Sequence, residues 1–303
     1  MSKTVIVVLG PTGIGKSDLS IRIAQHFHTE IISADSRQIY KELAIGTAVP
    51  PADDLQKVKH HLIHNHSIHD YYSAALFEKE ALETIDELFT TKDVLVVTGG
   101  SMMYIDALCK GMDDIPDADQ QIRAQLMEEH QEKGLEHMRL RLKQLDPVYY
   151  EQVDLKNPKR ILHALEVCLT SGKPYSSMRK DQKKERPFNI LKIGLNRDRQ
   201  ELYDRINRRV DLMMEMGLED EAKSVFEFHH LNSLNTVGYK ELFAYFEGQQ
   251  DKATAVELIK RNSRHYARKQ LTWFRRDQEI NWFQPEQEEE IIRFIDDKLT
   301  PNA

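Results

Sequence analysis

Eight residues near the start of the chain have the types and the spacing of a phosphate-binding loop. The segment Gly10-Pro11-Thr12-Gly13-Ile14-Gly15-Lys16-Ser17 fits the pattern G-x-x-x-x-G-K-[ST] at every fixed position. Glycines let a backbone wrap an anion without Cβ clashes, and amide N–H groups at a helix N-terminus point at the phosphates. Lys16 adds a positive charge, and the Ser17 hydroxyl is a ligand for Mg²⁺. The pattern predicts a binding site for a polyphosphate but does not specify which molecule carries the phosphates. The alternative is a fortuitous glycine turn.

A second polar group, Asp35-Ser36-Arg37-Gln38, follows an apolar segment that is predicted to be a strand. Ligand chemistry in an open parallel sheet gathers beyond the carboxyl ends of the strands, so we expect Asp35 beside the phosphate loop. A carboxylate there can act as a general base on an attacking amine or hydroxyl, or ligate Mg²⁺ indirectly. Arg37 and Gln38 offer donors and acceptors for the edge of a nucleic-acid base. The alternative is a surface turn that Asp35 caps.

Ser101 follows Gly99-Gly100 at the equivalent position after a later predicted strand. A hydroxyl on a glycine turn can touch a phosphate oxygen or cap the next helix, and capping is the default for a lone serine.

Strands and helices must hold these residues in position, and the hydrophobic periodicity of the sequence predicts where those elements lie. Apolar, β-branched runs predict strands at residues 4–9, 30–33, 93–98, 188–195 and 280–283. Helical periodicity predicts helices at residues 16–27, 73–89, 102–109, 119–133, 134–145, 158–170 and 256–276. Strand–helix alternation favours a parallel sheet with right-handed crossovers.

Strand signals stop between residues 115 and 186, where the pattern is helical. We therefore predict an α/β fold with a P-loop, nucleotide-kinase-like parallel sheet core and an inserted all-helical subdomain. The core comprises residues 1–114 and 187–303, and the insertion comprises residues 115–186.

The composition is that of an ordinary globular protein, with 303 residues, 40% hydrophobic and 30% charged. No apolar run approaches the roughly 18 residues that span a bilayer, so we expect no membrane partner. Two cysteines make a disulfide framework improbable, and we expect a reducing cytoplasm. We also expect a monomer.

The net charge of −7 does not by itself indicate nucleic-acid binding, but residues 260–276 are locally basic and contain aromatic side chains. Basic residues anchor phosphates, and aromatic rings stack on unpaired RNA bases. The alternative is a solvated basic helix whose aromatic residues pack into the core, and we favour core packing for Trp273 and Phe274.

Five histidines crowd one segment, namely His60, His61, His64, His66 and His69. This clustering suggests zinc, but the cysteine or carboxylate spacing of a zinc site is absent, so we do not predict a metal there.

The order of motifs along the chain resembles that of the bacterial tRNA dimethylallyltransferases, also called tRNA isopentenyltransferases or the IPP transferase family. The resemblance rests on the phosphate loop, on Asp35-Ser36-Arg37-Gln38, and on the segments Ile45-Gly46-Thr47-Ala48-Val49-Pro50, Gly99-Gly100-Ser101, Val237-Gly238-Tyr239-Lys240 and Arg268-Lys269-Gln270-Leu271-Thr272-Trp273-Phe274. The phosphate loop alone is generic, whereas the combination is specific.

The resemblance implies that dimethylallyl diphosphate binds in the loop and that the exocyclic amine of the adenine 3′ to the tRNA anticodon attacks its allylic carbon. It implies that this adenine leaves the stack, as in other base-modifying enzymes. It implies Asp35 as the base and Thr12 and Ser101 as further residues at the reacting site. Mg²⁺, held by Ser17, and Lys16 neutralise the leaving diphosphate, and Arg205 also reaches it.

The resemblance further implies contacts to the tRNA anticodon stem-loop from many positions. They are Asp35, Ser36, Arg37, Gln38, Ser101, Arg123, Lys159, Arg160, Ile161, Leu162, His163, Asn235, Thr236, Val237, Gly238, Tyr239, Lys240, Arg268, Lys269, Gln270, Thr272, Trp273 and Arg275.

The chain departs from the family pattern at two places. Gly13-Ile14 stands where the family usually has Ala-Ser, and Ser101 stands where it usually has Thr. Two other functions share the phosphate loop: a small-molecule or nucleotide kinase, and a non-catalytic RNA-binding ATPase module. The basic C-terminal helix argues against the first, and Asp35 beside the loop argues against the second.

Overall fold

A computed structural model of the protein describes residues 2–116, 119–180 and 182–300. Its strands are β1 (Thr4–Leu9), β2 (Ile31–Ser33), β3 (His60–His61), β4 (Val94–Gly99), β5 (Asn189–Leu195) and β6 (Ile280–Phe283). They form one sheet in the order β3-β2-β4-β1-β5-β6, and every neighbouring pair is parallel. The predicted parallel sheet is confirmed.

Thirteen α-helices occur in the described residues. In chain order they are α1 (Lys16–His26), α2 (Ala52–Lys57), α3 (Ala74–Leu88), α4 (Met102–Lys110), α5 (Gln120–Leu145), α6 (Pro147–Tyr150), α7 (Pro158–Ser171), α8 (Tyr175–Met178), α9 (Arg199–Glu215), α10 (Leu218–Ser224), α11 (Tyr239–Phe246), α12 (Lys252–Phe274) and α13 (Glu288–Leu299). None of these helices has the length and the apolar character needed to cross a membrane.

The central strand β1 is buried along its whole length, because parallel strands are covered on both faces. Its side chains alternate between two cores: Val5, Val7 and Leu9 pack with α3 and α4 on one face, whereas Ile6 and Val8 pack with α1 and α13 on the other. A third core surrounds α9 to α12.

The chain forms two compact units, one of residues Met1–Cys109 and Glu185–Ala303, and one of Lys110–Lys184. The second unit has its own helical core, built from α5 to α8. The boundaries differ from the predicted 115 and 186. Lys184 donates its backbone N–H to the Lys110 carbonyl at 2.7 Å within the helical unit. Arg186 lies in the sheet unit, where it donates to Glu78 and to the Ala107 and Leu108 carbonyls.

Two differences from the predicted elements have local causes. The two-residue strand β3 was not predicted, because two residues carry no periodicity. The helix predicted at residues 256–276 begins at Lys252 instead, because the Asp251 carboxylate caps it by accepting the Thr254 N–H at 2.7 Å. The two helices predicted around Gly134 correspond to the two parts of α5, which is kinked at Gly134 by non-helical backbone angles.

Candidate active site

The phosphate loop lies between β1 and α1, as its sequence pattern requires. Gly15 is the N-cap of α1 and has φ +110°, a left-handed conformation that glycine adopts without a Cβ penalty. Because glycine has no side chain, nothing from the cap residue covers the first N–H groups of α1. Lys16 extends from the same turn, and its Nζ donates to the Pro11 carbonyl at 2.9 Å. The loop therefore presents backbone donors, the helix dipole and an ammonium group to an anion.

Three cationic side chains lie at this loop, namely Lys16, Arg205 and Arg209. Burial, followed by the nearby charge of Arg209, lowers the pKa of Lys16 to about 8, while Asp35 opposes the shift. Burial also lowers the pKa of Arg209, against the effect of Asp35 and with that of Arg205. A site in which positive groups destabilise one another favours a polyanionic ligand, because the ligand's charge relieves their repulsion.

Two arginines of α9 face the phosphate loop. Arg205 Nε donates to the Gly13 carbonyl at 3.0 Å, and Arg209 Nη1 donates to Thr12 Oγ1 at 3.4 Å. Sequence analysis named Arg205 and missed Arg209. The signal was present, because residues four apart lie on the same face of a helix.

A cavity of about 670 Å³ opens on the loop, and we call it the cradle-side cavity; Gly13, Gly15, Lys16, Ser17 and both arginines line it. Its wall also includes three residues with side-chain oxygen atoms, Ser17, Asp18 and Asp54. Oxygen ligands suit Mg²⁺, which usually keeps several waters and binds one or two protein groups plus substrate phosphates. The residues present therefore fit Mg²⁺ held at Ser17.

Asp35 begins a turn directly beyond β2. Its Oδ1 accepts the Arg37 N–H at 2.9 Å and the Gln38 N–H at 3.4 Å. Ser101, beyond β4, is buried, and its Oγ accepts the Ser36 N–H at 2.8 Å. The adjacent ends of two neighbouring strands thus hold the Asp35 turn in place. Asp35 lies near the phosphate loop, since it lines one cavity together with Thr12 of that loop.

A second cavity, of about 520 Å³, contains Asp35 and Thr12 in its wall, and we call it the Asp35 cavity. Two helices supply facing stripes at helical spacing, Ile206, Arg209, Val210 and Met213 from α9, and Ile259, Asn262, Ser263 and Tyr266 from α12. These helices run antiparallel, with contacts from Arg264 to Asn207 at 2.5 Å and from Lys260 to Asp211 at 2.8 Å. Arg209 lines both cavities.

Arg37 and Gln38 behave differently from each other. Arg37 lines the Asp35 cavity and donates from Nη1 to the Ser233 carbonyl at 2.9 Å. Gln38 Nε2 donates to the carbonyls of Thr47 and Ala48 at 3.2 and 3.0 Å, and its Oε1 accepts from Ser33 Oγ at 3.1 Å. Gln38 is not in the cavity wall, and its amide is committed to the protein. Gln38 therefore holds residues 47 and 48 in place through its amide, and its contact with a base stays a prediction.

The residues that precede and begin α11 contribute a further wall. Asn235, Thr236, Val237, Gly238 and Lys240 line the Asp35 cavity, as does Lys269 of α12. Tyr239 does not, since its side chain is fully buried and donates to Glu221. A direct tRNA contact from the Tyr239 side chain is therefore not supported.

The residues of α12 and its C-cap that are predicted to contact tRNA fall into an exposed group and a buried group. Arg268, Lys269, Thr272 and Arg275 are exposed. Gln270 is 1% exposed, and its amide bridges the Thr12 N–H and the Gly100 carbonyl, at 2.9 and 2.8 Å. It therefore joins α12 to the phosphate loop instead of presenting a surface. Trp273 and Phe274 pack on the core as predicted, and the Trp273 indole N–H donates to Asp106 at 2.8 Å.

The helical unit carries the remaining assigned residues. Lys159, Arg160 and His163 are exposed on α7, and Leu162 is half-buried. Ile161 is fully buried in the core of its unit, so its side chain cannot meet a tRNA and that expectation is corrected. Arg123 Nη1 lies 3.9 Å from the buried Glu166 carboxylate.

The histidine-rich segment uses its rings in pairwise contacts. His61 meets Glu30 at 2.6 Å, His66 meets Glu80 at 3.0 Å, and His60 and His64 meet backbone carbonyls. Within the part of the chain that the structure describes, no three His, Cys, Asp or Glu residues are grouped to hold a metal ion.

Together these features allow one kind of chemistry. A phosphorylated group departs into the cationic loop while a nucleophile enters from the Asp35 cavity, where a carboxylate can accept its proton. Kinases and other group-transfer enzymes share this requirement, so the geometry alone leaves the substrate open.

Comparison with known proteins narrows this choice. A family model described as IPP transferase matches residues 38–277. A relative from Bacteroides thetaiotaomicron named tRNA dimethylallyltransferase 1 is 60% identical over 292 residues, which cover 96% of this chain and 95% of the relative. A protein of the same name from Bacteroides fragilis is 57% identical and covers 97% of this chain and 98% of the relative.

Solved structures agree with the sequence relatives. The full-length tRNA isopentenylpyrophosphate transferase of Bacillus halodurans is 34% identical, with a TM-score of 0.71 over 98% of this chain and 97% of that one. A eukaryotic dimethylallyltransferase acting on tRNA is 27% identical, with a TM-score of 0.77 over 90% of this chain and 70% of that one. The resemblance found in the order of motifs is therefore confirmed across nearly the whole length, and this chain belongs to the IPP transferase family.

Proposed function

We propose that this protein transfers a dimethylallyl group from dimethylallyl diphosphate to the exocyclic N6 amine of an adenosine in tRNA and releases diphosphate. The relatives named tRNA dimethylallyltransferase support the reaction and its substrates. The structural observation that carries the proposal is the position of Asp35 and Thr12. Both line a cavity large enough for a base, beside a loop built for phosphates.

In this proposal the diphosphate binds in the cradle-side cavity. Lys16, Arg205 and Arg209 face the leaving oxygen atoms, where negative charge develops as the bond breaks. Mg²⁺ held by Ser17 supplies further charge neutralisation when bound. The backbone N–H groups at the start of α1 complete the binding of the anion.

The adenine occupies the Asp35 cavity after leaving its stack, because only an extruded base can reach an enclosed carbon. The bond between N6 and the allylic carbon forms while the bond between that carbon and the diphosphate oxygen breaks. The amine proton passes to the Asp35 carboxylate. Thr12 lines the Asp35 cavity at hydrogen-bond distance from Arg209, which lines both cavities, and it contacts the diphosphate or the incoming base.

For the finer specificity, we propose adenosine 37, adjacent to the anticodon on its 3′ side, in tRNAs that read codons beginning with U. The exposed residues Arg268, Lys269, Thr272 and Arg275 support binding of the anticodon stem-loop by α12. Arg123, Lys159, Arg160 and His163 of the helical unit offer a second set of contacts.

The test is transfer of the prenyl group to unmodified tRNA in the presence of dimethylallyl diphosphate and Mg²⁺, followed by digestion and mass analysis of the nucleosides. Asp35→Asn keeps an oxygen for the Arg37 and Gln38 N–H groups but is a far weaker base. We expect about a 10²- to 10⁴-fold loss of kcat with tRNA binding retained.

The matched control is Asp53→Asn, at an exposed acid of α2, which should leave kcat unchanged. A fully active Asp35→Asn variant would exclude Asp35 as the base. Consumption of ATP to phosphorylate an acceptor, with adenosines of unchanged mass, would replace the proposed function by that of a kinase.

A further inference from the structure

The carboxylate of Glu221 on α10 is surrounded by donors. Its Oε2 accepts the backbone N–H groups of Ala44 at 2.9 Å and Ile45 at 2.7 Å. Its Oε1 accepts the Gly46 N–H at 2.8 Å and the Tyr239 hydroxyl at 2.6 Å. Hydrogen bonds to an ionised acceptor are about twice as strong as neutral ones, so this group is a strong anchor.

The anchored segment, residues 44–51, contributes to both cavities. Gly46 and Thr47 line the Asp35 cavity, whereas residues 48–51 line the cradle-side cavity. The carbonyls of Thr47 and Ala48 also accept both amide N–H groups of Gln38, whose backbone N–H is bound to Asp35. A displacement of this segment is therefore transmitted to the wall of each cavity and to the Asp35 turn.

Tyr239 ties a third wall to the same carboxylate. It begins α11 immediately after residues 235–238, which line the Asp35 cavity. Its ring passes so close to Gly46 that a Cβ there would lie 2.6 Å from the hydroxyl oxygen. The backbone of residue 46, the ring and the carboxylate therefore hold one fixed arrangement.

We propose that Glu221 is a positioning residue for prenyl transfer. It touches neither cavity itself, but it sets the relation between the walls that hold the adenine and the walls that hold the donor. This inference rests on the proposed function. Groups held in near-attack geometry react much faster than loosely held ones, and a misplacement of about 1 Å costs on the order of 10²-fold.

If the cavity walls that Glu221 positions are loosened, water can also enter the site. Water then attacks the allylic carbon in place of N6: a carbon–oxygen bond to water forms, the bond to diphosphate breaks, and a proton is released to solvent. The products are dimethylallyl alcohol and diphosphate. The ratio of this alcohol to prenylated tRNA reports alignment and does not depend on the fraction of folded enzyme.

The test variant is Glu221→Gln, which keeps size but turns an N–H₂ group towards backbone N–H donors. We expect kcat at saturating substrates to fall by about 10- to 100-fold and the alcohol-to-tRNA ratio to rise at least several-fold. The Kd for tRNA should change by less than about twofold, since the basic residues of α12 are untouched.

Two further variants control the test. Glu219→Gln removes a carboxylate two residues away, whose partner is Lys252 at the surface, and should leave kcat and the product ratio as in the wild type. Tyr239→Phe removes only one of the four hydrogen bonds and should give a smaller change in the same direction, which keeps the inference testable if Glu221→Gln fails to fold.

An unchanged kcat in folded Glu221→Gln, or a fall in both products in equal proportion, would overturn the positioning role. Failure of the proposed function is seen separately, because the wild-type enzyme would then form no prenylated tRNA.

Discussion

The amide of Gln270 allows a prediction whose size follows from the structure. It joins residues that are 258 and 170 positions away in the chain, accepting from the Thr12 N–H and donating to the Gly100 carbonyl. Gln270 is 1% exposed and its hydrogen bond to Gly100 is buried, so the Gly100 carbonyl has no ready access to water when the amide is removed. Thr12 lines the Asp35 cavity, so water can replace the amide at its N–H. Replacement by leucine of similar size keeps the volume and removes both hydrogen bonds.

An unsatisfied buried backbone group costs about 1–3 kcal/mol, so loss of the bond to the Gly100 carbonyl in Gln270→Leu should lower the free energy of unfolding by about 1–3 kcal/mol. Urea unfolding measures this loss as a shift of the midpoint at an unchanged m-value. The matched control is Gln249→Leu, at an exposed glutamine that donates to Glu247, which should change stability by less than about 0.5 kcal/mol.

Gln270→Glu separates the two hydrogen bonds. The carboxylate still accepts from Thr12 but opposes the Gly100 carbonyl, and both this opposition and burial raise its pKa in the folded state. The native protein then binds more protons than the unfolded chain, so stability is greatest in acid and falls as pH rises above about 4.3. A loss below about 1 kcal/mol for Gln270→Leu, or a pH-independent Gln270→Glu variant, would refute the bridge.

Two other predictions concern ligands. Because the pKa of Lys16 in the free protein is lowered to about 8, its ammonium is lost above that pH, and binding of dimethylallyl diphosphate should weaken and take up a proton there. Calorimetry in buffers of different ionisation heat measures this uptake, which Lys16→Met should abolish. Removing the exposed charges of Arg268 and Lys269 should weaken tRNA binding and reduce the slope of log Kd against log salt by about 0.7–0.9 for each phosphate that is no longer neutralised, as measured by filter binding. An unchanged slope would place the tRNA elsewhere.

Much of the framework was predictable from sequence, because the signals are local. The continuous apolar run of β1, followed by glycines and Lys16, specifies strand, loop and helix within two dozen residues. The same holds for β4 and for α12, apart from its start. The position of Asp35 near the phosphate loop followed from the rule that the ends of parallel strands meet at one edge of the sheet.

Only the tertiary structure decided which donor meets which acceptor. Gln38 and Gln270 have the side-chain chemistry of base readers, yet each bridges backbone groups inside the protein. Glu221 lies in an ordinary polar helix, and its four donors come from segments 175 to 177 residues earlier and 18 residues later. Sequence periodicity records which face of an element is buried, because burial repeats along the chain. Hydrogen-bond partners do not repeat, since they depend on how distant elements pack, and they therefore became visible only in the fold.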